Sequence, residues 1–180
     1  MHRSVGCIWN WSASDMMERL LAPGSHTVIP TGELDVDEEL FLLTWMLRYA
    51  IDTGNARPRS HPAFFVVDEL QPLFRKRWYD LRALQTIKTN VLTARQPSVG
   101  LIGGLQMPAE VEPELLASAA TIICTGLQDR QNIDVVSSAM GIPRHGAQDL
   151  FQSLEINEAI YRFADRPGPF RIQAPLARIP

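Results

Sequence analysis

Phe64-Phe65-Val66-Val67-Asp68-Glu69 is the stretch on which the reading of this chain turns. Four apolar residues run into two adjacent carboxylates. A continuous Phe/Val run predicts a strand covered on both faces, as in the middle of a parallel sheet. Ligands of open α/β sheets bind at the carboxyl ends of the strands, so two acids at that end are candidates for chemistry. Taken alone, Asp68 and Glu69 would serve equally well as a helix cap or a solvent-facing turn.

The chain alternates on either side of this strand. Upstream, His26 to Ile29 reads as a short strand. Asp35-Val36-Asp37-Glu38 has capping-box spacing and opens an apolar helix carrying Leu40, Leu43, Trp45, Leu47 and Ile51, which stops near Gly54. Residues 1–25 are an N-terminal segment that the pattern does not place in the fold. In it Asp15-Met16-Met17-Glu18 predicts a second capping box, before a short helix stopped by Pro23-Gly24. Downstream, Arg75-Lys76-Arg77 is the densest positive patch; it suits a solvated basic edge or a loop facing nucleic acid or another subunit. The spacing of Leu81, Leu84, Ile87, Val91 and Leu92 predicts a helix over 79–96, ended by Pro97. A second strand runs from Val99 to Gln106, and its glycines mark close approach of another backbone or a ligand. A short acidic helix follows within 108–119, then a strand from Thr121 to Thr125. A helix from Asp129 to Met140 closes at Gly141-Ile142-Pro143, and a helical piece spans 147–153. Two short strands, Ala159 to Phe163 and Phe170 to Gln173, precede an extended tail over 176–180. This order predicts an α/β fold, a mainly parallel sheet with helices on both faces and a terminal antiparallel pair.

Composition bounds the function. The 180 residues are 46% hydrophobic and 21% charged, enough for a sizeable core. A net charge of −3 gives no overall basic footprint for nucleic acid. Of the two cysteines, Cys124 sits in the apolar run Thr121-Ile122-Ile123-Cys124 and reads as a small core residue. The four histidines lack metal-ligand spacing. No signal-peptide core and no apolar run of about 18 residues is visible, so the expectation is a cytoplasmic protein without an integral membrane segment.

Together these features resemble the C-terminal half of a RecA-like P-loop ATPase of the HerA/FtsK group, which includes DNA-pumping and conjugative type IV secretion motors. Residues 64–69 look like a Walker B motif, and Leu92-Thr93-Ala94-Arg95 resembles the helix end before the sensor strand. Leu101-Ile102-Gly103-Gly104-Leu105-Gln106-Met107-Pro108 looks like that sensor strand, with its terminal Gln and following Pro. Residues 115–123 with Asp129 resemble the next helix, strand and helix start, and Asn157 to Ile160 with Pro169 to Ile172 resemble the closing strands. The likeness spans residues 26–175. It implies a three-layer αβα domain that binds ATP and Mg²⁺, with Asp68 at the metal and nucleotide and Glu69 polarising the attacking water. It further implies Gln106 as sensor, and Arg95 or Arg130 as arginine fingers reaching a neighbouring subunit; a surface salt bridge is the bland alternative for either arginine. Like subunits in a hexameric ring, and DNA, are the implied partners. Gln suits the sensor role because it donates and accepts at once, and so can touch both γ-phosphate and lytic water.

One departure stands out. The group's pattern places a Gly-rich loop with Lys and Ser/Thr before Walker B, and this sequence has none: Gly24-Ser25-His26 and Thr31-Gly32-Glu33 are too short and carry no Lys. The backbone cradle for the phosphates and the first strand and helix of the core are therefore missing from the expected fold. ATP hydrolysis is expected only if a P-loop is supplied upstream or by another chain. Three readings follow: the C-terminal portion of a DNA-translocating, helicase-type motor; a non-catalytic scaffold or regulatory module that binds a motor ring; or an unrelated doubly wound ligand-binding domain, which would need a Gly-rich turn after its first strand.

Overall fold

The computed structural model describes residues 13–54, 62–71 and 99–173. The expected helix over 79–96, the Arg75-Lys76-Arg77 cluster, Arg95, Cys7 and the tail lie outside the described residues. The chain divides into two compact units, Met1–Gly104 and Leu105–Pro180. No helix among the described residues is long and apolar enough to cross a membrane.

The first unit holds helices α1 (Ala13–Leu20) and α2 (Val36–Gly54) and strands β1 (Ala63–Val67) and β2 (Val99–Gly103). The start of α2 is the capping box read from the sequence. The Glu38 amide donates to Asp35 Oδ1 at 2.8 Å, and the Asp35 amide donates to Glu38 Oε2 at 3.0 Å. Asp37, Glu38 and Glu39 in its first turn suit the positive end of the helix dipole. Leu40, Leu43, Met46, Leu47 and Ala50 form its buried stripe, at the spacing of one helix face. In α1 the sequence expectation fails: Asp15 lies inside the helix, not at its cap. A D-x-x-E spacing fits a helix interior as well as a start. The chain leaves α1 through Gly24, whose φ of 76° is left-handed.

Strands β1 and β2 pair in parallel, with Phe64 opposite Gly100, Phe65 opposite Leu101 and Val66 opposite Ile102. Burial corrects the expectation of a strand covered on both faces. Phe65 is buried, but Phe64 and Val66 are 64% and 74% exposed. Partnered residues share a face, so Phe64, Val66 and Ile102 make one open apolar face. The Phe64 ring lies over Gly100, where a Cβ would come within 2.5 Å of Cε1. Residues 26–29, expected as a strand, are irregular, and Val28 is almost fully exposed. Among the described residues no ladder joins them to another strand, and β-branched residues do not make a strand without a partner.

The second unit contains α3 (Pro113–Ser118), β3 (Thr121–Cys124), α4 (Arg130–Met140), α5 (Ala147–Gln152), β4 (Glu158–Phe163) and β5 (Phe170–Gln173). A 3₁₀ turn over Pro108–Glu110 precedes α3. Strands β3, β4 and β5 form an antiparallel sheet in that order. The terminal pair is thus antiparallel, as expected, and β3 joins it. One face of the sheet is closed by α4 and α5 around Cys124, Ile133, Val136, Met140, Phe151 and Ile160. The other face carries Tyr161, Phe163 and Phe170, with ring centroids 5.9–6.1 Å apart, and the exposed Ile123. Helix α4 starts at Asp129, whose side chain accepts the Asn132 amide at 2.9 Å. It stops at left-handed Gly141, and Ile142 N–H returns to the Ser137 carbonyl at 2.8 Å. Arg171 of β5 hydrogen-bonds Glu158 of β4. That bond, with the Glu155 amide on the same carboxylate, holds the Glu158 pKa below its ordinary value.

Candidate functional site

β1 delivers Val67 to a tight turn, so Asp68 and Glu69 stand exposed at the carboxyl end of a parallel strand. That is the position from which an open α/β sheet presents residues to a ligand. Glu69 has φ 53°, the left-handed region, and is the one described non-glycine residue found there. Such a conformation costs an L-residue about 1–2 kcal/mol. Non-local bonds hold it. The strand ladder continues past β2: Gly104 N–H donates to the Val67 carbonyl at 3.0 Å, and Leu70 N–H donates to the Gly104 carbonyl at 2.8 Å. The Gly104 peptide therefore brackets the acidic turn from both sides. Asp68 Oδ1 accepts the Glu69 amide at 3.1 Å, which fixes the aspartate against the turn.

Two glycines make room for this arrangement. A Cβ on Gly103 would lie 2.5 Å from Leu70 Cδ2 and 3.2 Å from Leu70 Cβ, so this glycine lets Leu70 bury itself to 6% exposure. A Cβ on Gly104 would lie 3.3 Å from Asp68 Oδ1 and 3.6 Å from the Glu69 nitrogen. The sequence signal for close approach was the Gly-Gly pair itself. What approaches, Leu70 and the acidic turn, was not visible there.

Gln106 and Arg130 belong to the second unit. Gln106 is exposed, in the bend that follows β2 in the chain. Arg130 is the first residue of α4 and is also exposed. A cation there opposes the helix dipole, so helix stability does not account for it. No ion pair joins Arg130 to an acid among the described residues. Sequence reasoning missed Asn132, two residues on. Its side chain is 6% exposed, and its Oδ1 accepts the Ala109 amide at 2.8 Å, tying the loop after Gln106 to the first turn of α4. Arg95 lies outside the described residues.

Other candidate chemistries find little support. Burial pushes the Cys124 thiol up to about 12, which keeps it protonated and unreactive. Among the described residues no group of three or more His, Cys, Asp or Glu side chains could hold a metal. Asp68 is a single exposed carboxylate, and Mg²⁺ held with phosphates takes one or two such ligands.

No protein-family model matches the chain, and no curated protein matches it in sequence. Solved structures do match in fold. The genome packaging NTPase B204 from Sulfolobus turreted icosahedral virus 2 in complex with ATP-gammaS superposes with a TM-score of 0.67 at 12% identity, covering 89% of this chain and 72% of that one. The same protein in complex with sulfate gives a TM-score of 0.66 at 12% identity, over 92% and 74% of the two chains. B204, the DNA-packaging ATPase from Sulfolobus turreted icosahedral virus, gives 0.62 at 15% identity, over 97% and 80%. At these identities the shared property is the fold. This chain shares its α/β fold with the B204 structures.

Proposed function

We propose that this chain is the C-terminal portion of an ATP-driven motor of the HerA/FtsK type that moves DNA. The observation that carries the reading is the acidic turn: two carboxylates at the end of a parallel strand, with Glu69 held left-handed by the tip of the neighbouring strand. Strain maintained by the surrounding structure is characteristic of functional positions. The fold shared with packaging NTPases, structures of which hold AMP or ATP-gammaS, supports a reading of the turn as a nucleotide site.

Asp68 supplies one carboxylate to the metal side of the site. Mg²⁺ bound with nucleotide would neutralise charge on the phosphates. Glu69 accepts a hydrogen bond from the attacking water and orients it. Gln106 serves as the sensor, a side chain that can donate to a phosphate oxygen and accept from a water at once. Arg130, exposed at a helix start, and Arg95 serve as cations for a neighbouring subunit's site in a hexameric ring working in the cytoplasm. The phosphate cradle is supplied by residues outside this sequence or by another chain, since no Gly-rich Lys-Ser/Thr loop occurs in it.

The missing loop is also what favours a second reading, a non-catalytic scaffold that binds a motor ring. One experiment separates the two. Mg²⁺-dependent ATP hydrolysis is measured on the full-length product, together with any chain that supplies its phosphate cradle, with and without duplex DNA, for the parent and for Glu69→Gln. The motor reading expects turnover in the parent and a loss of about 10²-fold or more in Glu69→Gln, with ATP binding retained. No turnover in the parent refutes it in favour of the scaffold, and equal turnover in both refutes the role assigned to Glu69.

A further inference from the structure

Gln106 and Arg130 are 24 residues apart in sequence, yet the second unit joins their surroundings through one buried side chain. The loop after Gln106 is stiff. Pro108 is buried, Glu110 N–H donates to the Met107 carbonyl at 3.0 Å, and Val111 N–H donates to the Pro108 carbonyl at 3.3 Å. Val111 is fully buried. Into this turn Asn132 projects its amide oxygen, accepting the Ala109 N–H at 2.8 Å, while its own backbone N–H is held by the Asp129 side chain at 2.9 Å. Asn132 is 6% exposed. Burying an amide is unfavourable unless it is hydrogen-bonded, and an apolar residue would fill the same position without that demand. The asparagine is explained by the bond it makes. That bond anchors the Gln106 loop to the helix turn carrying Arg130.

We propose that Asn132 is a positioning residue that makes the Gln106 loop and the Arg130 end of α4 one mechanical piece. This rests on the motor reading above. A residue that senses a phosphate and a cation offered to the next subunit are then displaced together, not independently. Asn132 touches no reactant in this scheme; it acts through the Ala109 amide.

The test uses the full-length protein, together with any chain that supplies its phosphate cradle, with Mg²⁺-ATP and the variants Asn132→Ala, which removes the acceptor, and Asn132→Asp, which keeps one at the same reach. Two readouts are taken: amide exchange at Ala109, and kcat against KM for ATP. Asn132→Ala is expected to speed exchange at Ala109 by about tenfold or more, the worth of one buried hydrogen bond, with the later amides of α4 unchanged. It is expected to lower kcat by about tenfold with KM within about twofold. Asn132→Asp is expected to restore both. A further cycle reads the coupling itself: the kcat losses of Gln106→Ala and Arg130→Ala are non-additive with Asn132 present and additive in Asn132→Ala. A folded Asn132→Ala with unchanged kcat, or additive losses in the parent, overturns the proposal. If Asn132→Ala does not fold, the same readouts are taken on Asn132→Ser, whose side chain is too short to reach the Ala109 amide: faster exchange at Ala109 with a loss of kcat of about tenfold supports the proposal, and faster exchange with unchanged kcat overturns it. Failure of the motor reading is distinguishable, because the parent would then show no turnover while exchange at Ala109 still responded to Asn132→Ala.

Discussion

Replacing Glu69 by alanine and, separately, by glycine tests whether the acidic turn is held under strain. Both changes remove the carboxylate, so they differ in backbone freedom and one methyl group. At φ 53° a residue with a Cβ bears about 1–2 kcal/mol that glycine does not. Glycine in turn loses more unfolded-state entropy, worth about 0.5–1 kcal/mol. The net expectation is that Glu69→Gly is more stable than Glu69→Ala by up to about 1.5 kcal/mol. For a chain of this size each kcal/mol corresponds to roughly 2–4 °C in Tm. The sign is diagnostic: in a turn with ordinary negative φ, glycine would be the less stable of the two. Thermal melts at matched concentration, backed by urea midpoints, read the difference. Glu69→Asn should fall between the two, since Asn tolerates the left-handed region better than Ala. A Glu69→Gly protein melting below Glu69→Ala would refute the argument that Leu70 and Gly104 force the conformation. If the order holds, the parent carries its glutamate at a cost to stability, which is the trade expected where a residue is kept for activity.

The neighbouring glycines should respond differently. Gly103→Ala must displace the buried Leu70 and is expected to lower stability by about 1–3 kcal/mol, whereas Gly104→Ala meets Asp68 Oδ1 at 3.3 Å and is expected to stay within about 1 kcal/mol of the parent in urea denaturation. Equal effects at the two positions would contradict the packing described. Phe151, fully buried in the second unit, should cost about 3–5 kcal/mol on truncation to alanine, read from the unfolding of that unit. In a Cys7→Ser background, Cys124 should resist alkylation at pH 8 in the folded protein and react on unfolding. Its raised folded pKa means that its contribution to stability is fully present below pH 9.0 and is lost as pH rises towards about 12, which pH-dependent melts of Cys124→Ala against its parent would reveal. Glu158 has a depressed pKa, so its pairing with Arg171 supports the fold above pH 4.5 and the support fades on further acidification. The stability gap between the parent and Glu158→Gln should therefore close at low pH.

What was legible in the sequence follows from how local each cause is. The cap of α2 was legible because Asp35 and Glu38 satisfy each other within four residues. The limits of α4 were legible for the same reason, since Asp129 starts the helix with its own side chain and Gly141 ends it with its own backbone. Strands β2 to β5 announced themselves as short apolar runs between turn residues. The cap of α1 was misread locally, because D-x-x-E spacing also fits a helix interior; the other misreadings needed information from elsewhere in the chain. Residues 27–29 are β-branched or apolar, yet with no ladder they remain irregular. The run 64–67 is apolar at every position, so it carries no period to say which face is covered. The site divides along the same line. Two acids ending an apolar strand could be read as a pair, but the conformation of Glu69 could not, because glutamate has no intrinsic preference for positive φ. That conformation accompanies a bond between Leu70 and Gly104, 34 residues apart. Asn132 was invisible for the same reason, its partner Ala109 lying 23 residues away. In both places the acidic turn or the loop after Gln106 is held by a hydrogen bond from a distant part of its own unit. The residues read as chemical were therefore visible in the sequence, while those that orient them emerged only with the fold.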